Sequence, residues 1–265
     1  MSEVLGGYLV VEAMNRLGVE YLFGMPGFQL MSVYDGIYHA KTGPRHILIH
    51  DEKCGAFMAY GYARMSGKPG VCDATVGPGA TNLVSGLAEA YYASTPLVAI
   101  TSDVRMEFVG KSPNQECDQA AIFRPVVKRN FTAHLPERII ELTVRSLQVA
   151  ASGRPGPVHL NLPENINYTP ITYDWKKEIR RIGPVVYPMN RPRPESELIE
   201  RAAAMLTAAR RPVCVAGGGV HLSRANEKLL ALAEKLAMPV ATSLTGKGAI
   251  PEDHPLALSM CGRFD

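Results

Sequence analysis

The chain has 265 residues, 46% hydrophobic and 20% charged, with a formal net charge of +3. That apolar fraction excludes a disordered chain, and so mild a charge without a Lys/Arg block excludes nucleic-acid wrapping. No run of about 18 apolar residues predicts a membrane span, and scattered Cys54, Cys72, Cys117, Cys214 and Cys261 fit the reduced thiols of a cytoplasmic enzyme.

The N-terminus reads as an amphipathic helix rather than a leader peptide. Leu9, Val10, Ala13, Met14 and Leu17 share one face over residues 6–18, and Gly18 ends the helix. Tyr21-Leu22-Phe23 is a short strand broken by Gly24-Met25-Pro26-Gly27. Then come a helix over 30–38, a strand over 46–49, a helix over 55–65, a strand over 70–75 and a helix over 82–93. The run Leu97–Thr101 is apolar almost throughout, and helix 137–151 with strand 158–162 closes the unit. Such strands are buried on both faces, which predicts an α/β domain over 1–165, a parallel sheet with helices on both faces. Prolines recur from Pro163 to Pro194 without a sustained period, so 166–194 reads as an extended surface linker. From Glu195 a second pattern runs through a helix to Leu206, strand 212–216, Gly217-Gly218-Gly219, helix 225–236 and strand 240–243. With only two strands expected in 195–265, this second, Rossmann-like α/β domain is expected to be incomplete.

Two strand ends carry residues suited to chemistry. Asp51-Glu52 follows the apolar strand HILIH and opens a helix. Asp51 can cap that helix and Glu52 complement its dipole; alternatively, a carboxyl held in a semi-apolar cleft can move a proton. Val76-Gly77-Pro78-Gly79-Ala80-Thr81-Asn82 also joins a strand to a helix. Its glycines permit close backbone approach to a ligand, although it is neither a Walker loop nor GxGxxG. Gly217–Gly219 resembles half of a dinucleotide turn but lacks the acidic partner about 20 residues on. The seven histidines do not cluster at metal-ligand spacing, no GxSxG elbow occurs, and Lys128-Arg129 reads as a solvated basic pair.

Three segments, DEKCGAFMAYGYARMSGKPGVC, VGPGATNLVSGLAEAYYASTPLVAITSD and NQECDQAAIFRPVVKRNF, resemble in order and spacing the acetolactate synthase-like branch of thiamine-diphosphate enzymes. PGPVHLNLPENI resembles the segment ending that family's first domain, and VAGGGV with TGKGAIPEDHPLAL resembles the opening of its middle domain. The resemblance implies that 1–165 is the pyrimidine-binding domain. Glu52 takes the position of the glutamate that hydrogen-bonds the aminopyrimidine nitrogen, favours the imino tautomer and so promotes the ylid. Thr75, Pro78 and Asn82 match positions lining the pyrimidine pocket, Pro26-Gly27-Phe28 matches the loop near the reacting carbon, and Gln115 matches a glutamine reaching towards substrate. Asn114 stands where the family has phenylalanine, and Phe28 where the synthases usually have glycine, so the substrate pocket is expected to be reshaped.

The family's magnesium motif, Gly-Asp-Gly followed later by Asn, does not occur; the single Asp-Gly is Asp35-Gly36. No metal ligand is therefore expected in this chain. Mg²⁺ and the diphosphate are expected on a second polypeptide that carries the rest of the middle domain, in a dimer or tetramer of such units. FAD, used by part of the branch, finds no support in this sequence. The expected function is that of an N-terminal part or separate subunit of a thiamine-diphosphate carboligase or lyase acting next to a carbonyl. Its small-molecule substrate would be a 2-oxo acid such as pyruvate, or a 2-hydroxyacyl thioester. The alternatives are a non-catalytic regulatory or scaffolding subunit that retains the fold, and a nucleotide-binding protein using Gly217–Gly219.

Overall fold

In the computed structural model the chain begins with β1 (Ser2–Leu5) and α1 (Gly6–Arg16), then β2 (Tyr21–Gly24), α2 (Met31–His39), β3 (Arg45–Leu48) and α3 (Glu52–Ser66). It continues through β4 (Gly70–Ala74), α4 (Pro78–Asn82), α5 (Val84–Tyr92), β5 (Leu97–Asp103), α6 (Gln119–Phe123), β6 (Arg129–Thr132), α7 (Ile139–Ala151), β7 (Pro157–Pro163), α8 (Glu164–Tyr168) and β8 (Pro170–Tyr173). The structure describes residues 2–173, 184–190 and 192–262, and the chain's contacts divide it into two units after Met189. No helix among the described residues is long and apolar enough to cross a membrane.

The first unit is built on a six-stranded parallel sheet in the order β3-β2-β4-β5-β7-β6. Alternating side chains send Leu22, Val71, Val98, Ile100, Val158 and Leu160 into a core shared with α1 and α7. Phe23, Cys72, Ala74, Leu97 and Ala99 enter a second core under α3 and α5. A sheet covered on both faces buries both sets of side chains, and every residue of β4 and β7 and all but the last of β5 are buried. Strand order reverses between β2 and β4, because the chain leaves β2 towards β3 on one side and β4 towards β5 on the other. Loops at such a reversal splay apart beyond the strands' carboxyl ends and leave a crevice.

Helix α3 lies unusually close to its neighbours because it presents small residues to them. A Cβ on Gly55 would sit 3.1 Å from the Phe23 carbonyl oxygen, one on Gly70 2.1 Å from that of Ala59, and one on Gly86 of α5 2.5 Å from Ala56 Cβ. The Asp51 side chain accepts the Lys53 N–H at the helix start, and Gly67 (φ +69°) ends it in the left-handed conformation.

The elements differ from the sequence expectation in several places. Residues 2–5 form β1, which pairs antiparallel with β8, so Pro170–Tyr173 is a strand within the expected linker. Residues 174–183 and Arg191 of that expected linker lie outside the described residues. Arg129 belongs to β6, an edge strand, and Lys128 is half-buried rather than solvated: its ammonium donates to the Val149 and Ser152 carbonyls at the end of α7.

The second unit contains α9 (Ser196–Ala208), β9 (Cys214–Ala216), α10 (Gly219–Leu222), α11 (Asn226–Leu236), β10 (Val240–Thr242) and β11 (Ala257–Met260). Its strands form a parallel sheet in the order β11-β10-β9. Three strands are therefore paired where two are expected from the sequence. The third follows a proline-bearing loop that masks it, and Ala216, Ala233, Met238, Val240 and Ile250 form the core beside the sheet.

The close fit of α5 on α3 makes a test. Gly86→Val must drive a side chain into Ala56 and the α3 backbone, and is expected to lower unfolding stability by about 1–3 kcal/mol in urea denaturation; an unchanged midpoint would show that α3 can shift freely.

Candidate functional site

Four loops leave the carboxyl ends of adjacent strands β2, β3, β4 and β5 and carry the residues singled out from the sequence. After β2 come Pro26, Gly27 and Phe28; after β3 come Asp51 and Glu52; after β4 come Thr75, Pro78 and Asn82; after β5 come Asn114 and Gln115.

The two carboxyls of Asp51-Glu52 divide their labour. Asp51 is on the surface as the helix cap, its carboxyl held below the usual range first by the Lys53 N–H and then by the Lys53 ammonium. Glu52, one residue later, is only 6% exposed. Its Oε2 accepts a hydrogen bond from Asn82 Nδ2 at 3.0 Å. Its Oε1 faces the bare Cα of Gly79, where a Cβ would come within 3.1 Å. The helix start thus delivers a carboxyl into the interior of the crevice, one oxygen fixed and the other beside open backbone.

Around it the loops interlock. A Cβ on Gly27 would strike Thr75 Cβ at 2.3 Å, so only glycine lets the β2 loop lie against the β4 loop. Thr75 Oγ1 donates to Gln29 Oε1 at 2.8 Å and lies 3.4 Å from Ser102 Oγ. The Phe28 carbonyl accepts from the Tyr168 hydroxyl at 2.8 Å, and the Gln29 carbonyl from Asn167 Nδ2 at 3.0 Å. Phe28 itself is 72% exposed, an aromatic ring carried on a pinned backbone. Gln115 adopts φ +69° and its carbonyl would lie 2.5 Å from a Cβ on Gly77, itself at φ +71°. Asn114 and Gln115 are both exposed in that loop, and Pro78 is exposed at the start of α4.

One buried polar residue escaped the sequence reading. Asp73, in the middle of an apolar strand, is 2% exposed and lies directly beside Gly24 in the sheet. The Tyr34 hydroxyl donates to its Oδ2 at 2.6 Å, whereas Oδ1 has no hydrogen-bond partner among the described residues. Burial pushes its carboxyl up to about 7; the Tyr34 hydrogen bond opposes that rise, and the Glu52 charge adds to it. The signal was present as a charged residue between Cys72 and Ala74, in a strand whose every residue is buried.

Other candidates stand apart from this cluster. His46 Nε2 lies 3.0 Å from the Gly24 carbonyl, and His159 is buried between Thr101 Oγ1 and Asn130 Oδ1, its pKa pushed down to about 3 by burial. Among the described residues no three of His, Cys, Asp or Glu gather where they could hold a metal ion. Asp35-Gly36 lies within helix α2. In the second unit Gly218 packs against Thr245, and the turn runs into the four-residue helix α10.

Residues 5–122 match the thiamine pyrophosphate enzyme N-terminal TPP binding domain, and residues 199–265 match the thiamine pyrophosphate enzyme central domain. The chain is 42% identical over 260 residues to a probable acetolactate synthase large subunit of Methanococcus aeolicus, covering 97% of this chain and 42% of that protein. A protein of the same description from Methanocaldococcus jannaschii is 41% identical over 262 residues, covering 97% of this chain and 43% of its own length. An acetolactate synthase of Mycobacterium bovis is 38% identical over 262 residues, 99% of this chain and 42% of that protein. The chain spans less than half the length of these curated relatives.

The buried Asp73 has a consequence for stability. A folded-state value of about 7 against an ordinary 3.8 means that the folded protein holds a proton which the unfolded chain has released between those pH values. Stability contributed by the neutral acid is therefore present below about pH 4 and is lost as pH rises through about 7. Asp73→Asn, which cannot ionise, is expected to gain on the wild type in urea unfolding across that interval, and a difference that stays constant with pH would contradict the assignment.

Proposed function

We propose, since this chain belongs to the thiamine pyrophosphate enzymes, that its first unit binds the aminopyrimidine ring of thiamine diphosphate with Glu52 against a ring nitrogen. The observation that carries this reading is the Glu52 carboxyl, buried at the strand-order reversal with Oε2 tied to Asn82 and Oε1 facing Gly79. A flat heteroaromatic ring suits that setting. The glycine leaves room beside a carboxyl oxygen, Thr75 and Asn82 supply polar edges, and Pro78 supplies an apolar wall. On this reading 1–165 is the pyrimidine-binding domain, 166–194 a linker and 195–265 the start of the middle domain.

When bound, thiamine diphosphate supplies a carbon acid whose conjugate base adds to a carbonyl. The task of Glu52 is to hold a proton at Oε1 and share it with the ring nitrogen. A carboxyl suits this because it can pass a proton and take up charge, whereas an amide can only donate a hydrogen bond. Asn82 orients the carboxyl by occupying Oε2, and burial keeps bulk water from competing for the shared proton. Gln115, on its strained backbone against Gly77, is the polar group directed to substrate. Phe28 and Asn114 line the pocket in which the substrate carbonyl is presented.

The reaction is the making or breaking of a carbon–carbon bond next to a carbonyl, by an enzyme related to the acetolactate synthase large subunit. A 2-oxo acid such as pyruvate, or a 2-hydroxyacyl thioester, is the substrate class. The exposed ring of Phe28 and the polar Asn114 favour a substrate other than the synthases' own pair. These 265 residues contain no Gly-Asp-Gly. Mg²⁺ and the diphosphate are therefore held by polypeptide beyond them, further along the same chain or in a second subunit.

Replacing the shared proton by an amide is the direct test. Glu52→Gln in the full-length enzyme is expected to bind thiamine diphosphate but to lose about 100-fold or more in exchange of the thiazolium carbon proton and in turnover, the scale of general acid–base assistance. Turnover equal to wild type would reject the assignment.

A further inference from the structure

The loop that carries Gln115 runs over residues 104–118, and its regular structure is one 3-10 turn at Met106–Phe108. A connection of that length ordinarily samples many conformations, and a side chain exposed at its tip would have no fixed origin. Both ends of this loop are anchored. Asp103 Oδ1 accepts the Val104 N–H at 2.8 Å, and its Oδ2 accepts from Asn161 Nδ2 at 2.6 Å. Asn165 Oδ1 of α8 accepts the Met106 N–H at 3.1 Å. At the far end Gln119 Nε2 donates to the Ser102 carbonyl at 2.8 Å, and Asp118 Oδ1 accepts the Ala121 N–H at 2.9 Å.

The tip between those anchors is closed by Glu116. Its Oε1 accepts the Gly110 N–H at 2.6 Å and its Oε2 the Ser112 N–H at 3.0 Å, while its own N–H donates to the Pro113 carbonyl at 3.2 Å. No other side chain bonds the backbone of 107–117 among the described residues. Residues 110–116 thus form a closed ring with Gln115 inside it. Gly110 (φ +79°), Ser112 (φ +54°) and Gln115 (φ +69°) are all left-handed. Glycine adopts that conformation freely, whereas serine and glutamine stay in it only where their surroundings hold them. The Gln115 carbonyl rests against Gly77, which has no Cβ to displace it, and Glu116 ties the chain on its other side. A carboxylate suits this task because it offers two acceptor oxygens to two N–H groups and makes shorter bonds than a neutral acceptor.

We propose that Glu116 is a positioning residue for Gln115: by closing the tip of the loop after β5, its carboxylate fixes the backbone from which the Gln115 amide meets the substrate. This rests on the reading of Gln115 given above. The bonds of the Glu116 side chain stay within its own loop, so removing it leaves Glu52 on Asn82 and Thr75 on Gln29. Its effect therefore falls on the substrate and not on activation of the cofactor. Glutamine at this position keeps one acceptor oxygen and turns an amide N–H towards the second backbone donor, so it restores half of the tie.

The test uses the full-length enzyme loaded with thiamine diphosphate and Mg²⁺. Pyruvate, longer 2-oxo acids and a 2-hydroxyacyl-CoA are supplied in turn, and the one that wild type turns over fastest serves for the variants. Glu116→Ala is expected to lose about 10–100-fold in kcat/KM, the scale of a misplaced contact to substrate, and Glu116→Gln to fall between it and wild type. Exchange of the thiazolium carbon proton, cofactor affinity and the thermal midpoint are expected to equal wild type in both variants. Gln115→Ala is expected to lose as much as Glu116→Ala, and the double variant no more than either, because the two act as one unit. Losses that multiply in the double variant, wild-type kcat/KM in Glu116→Ala, or a fall in thermal midpoint or proton exchange that matches the loss would overturn the proposal. If Gln115→Ala loses turnover and Glu116→Ala does not, the role of Gln115 stands and that of Glu116 falls. If Gln115→Ala equals wild type, or no substrate is turned over, the reading of Gln115 falls and this inference with it, while proton exchange lost in Glu52→Gln would still support Glu52.

Discussion

The close approach of helix α3 to the sheet is the constraint on which the rest of the site depends. Gly55, Ala56, Ala59 and Ala63 along one face let its backbone settle against β2, β4 and α5, with Gly70 and Gly86 completing the fit from the other side. Larger residues at those contacts would lift the helix from the sheet by ångströms. With the helix pressed down, its first residue cannot point into solvent as residues of a first turn ordinarily do. Glu52 is buried for that reason, while Asp51 satisfies the helix end outside.

A second consequence follows from where this occurs. The loops after β2 and β4 meet at the strand-order reversal, where glycines at 27, 77 and 79 let Thr75, Gln115 and Glu52 pack against bare backbone. The polar groups packed there are held by their neighbours: Glu52 by Asn82 and Thr75 by Gln29. Preorganised polar groups in a poorly solvated cleft need little rearrangement when a ligand arrives. The backbone beneath the exposed Phe28 ring is pinned in the same way, by Tyr168 and Asn167.

Much of this was legible in the sequence, and the failures have physical causes. Leu97–Thr101 was recognisable as an almost unbroken apolar run, and Val158–Leu162 from Val158, Leu160 and Leu162, although His159 and Asn161 between them are buried as well. Helix α3 was recognisable from its period, whereas Glu52 could be read either as complementing the helix dipole or as a carboxyl held in a cleft. Strand β6 was missed because Arg129-Asn130-Phe131-Thr132 is an edge, where polar residues are tolerated and Asn130 bonds laterally to His159. Strand β8 was hidden by Pro170, which an edge strand accepts at its first residue. Asp73 read only as part of a strand because the Gly24 and Tyr34 that accommodate it lie 49 and 39 positions earlier in the chain, and only the folded sheet brings them to it.

A helix held close by small residues buries Glu52 in the crevice, and on the proposed function the cofactor ring lies against it. An experimental structure of the full-length enzyme with thiamine diphosphate and Mg²⁺ tests it most directly. A Glu52 carboxyl oxygen is expected within about 2.6–3.2 Å of an aminopyrimidine nitrogen, with the other oxygen still on Asn82 and the ring lying against Gly79. A ring bound elsewhere, or a Glu52 carboxyl turned away from it, would rule out this role for Glu52.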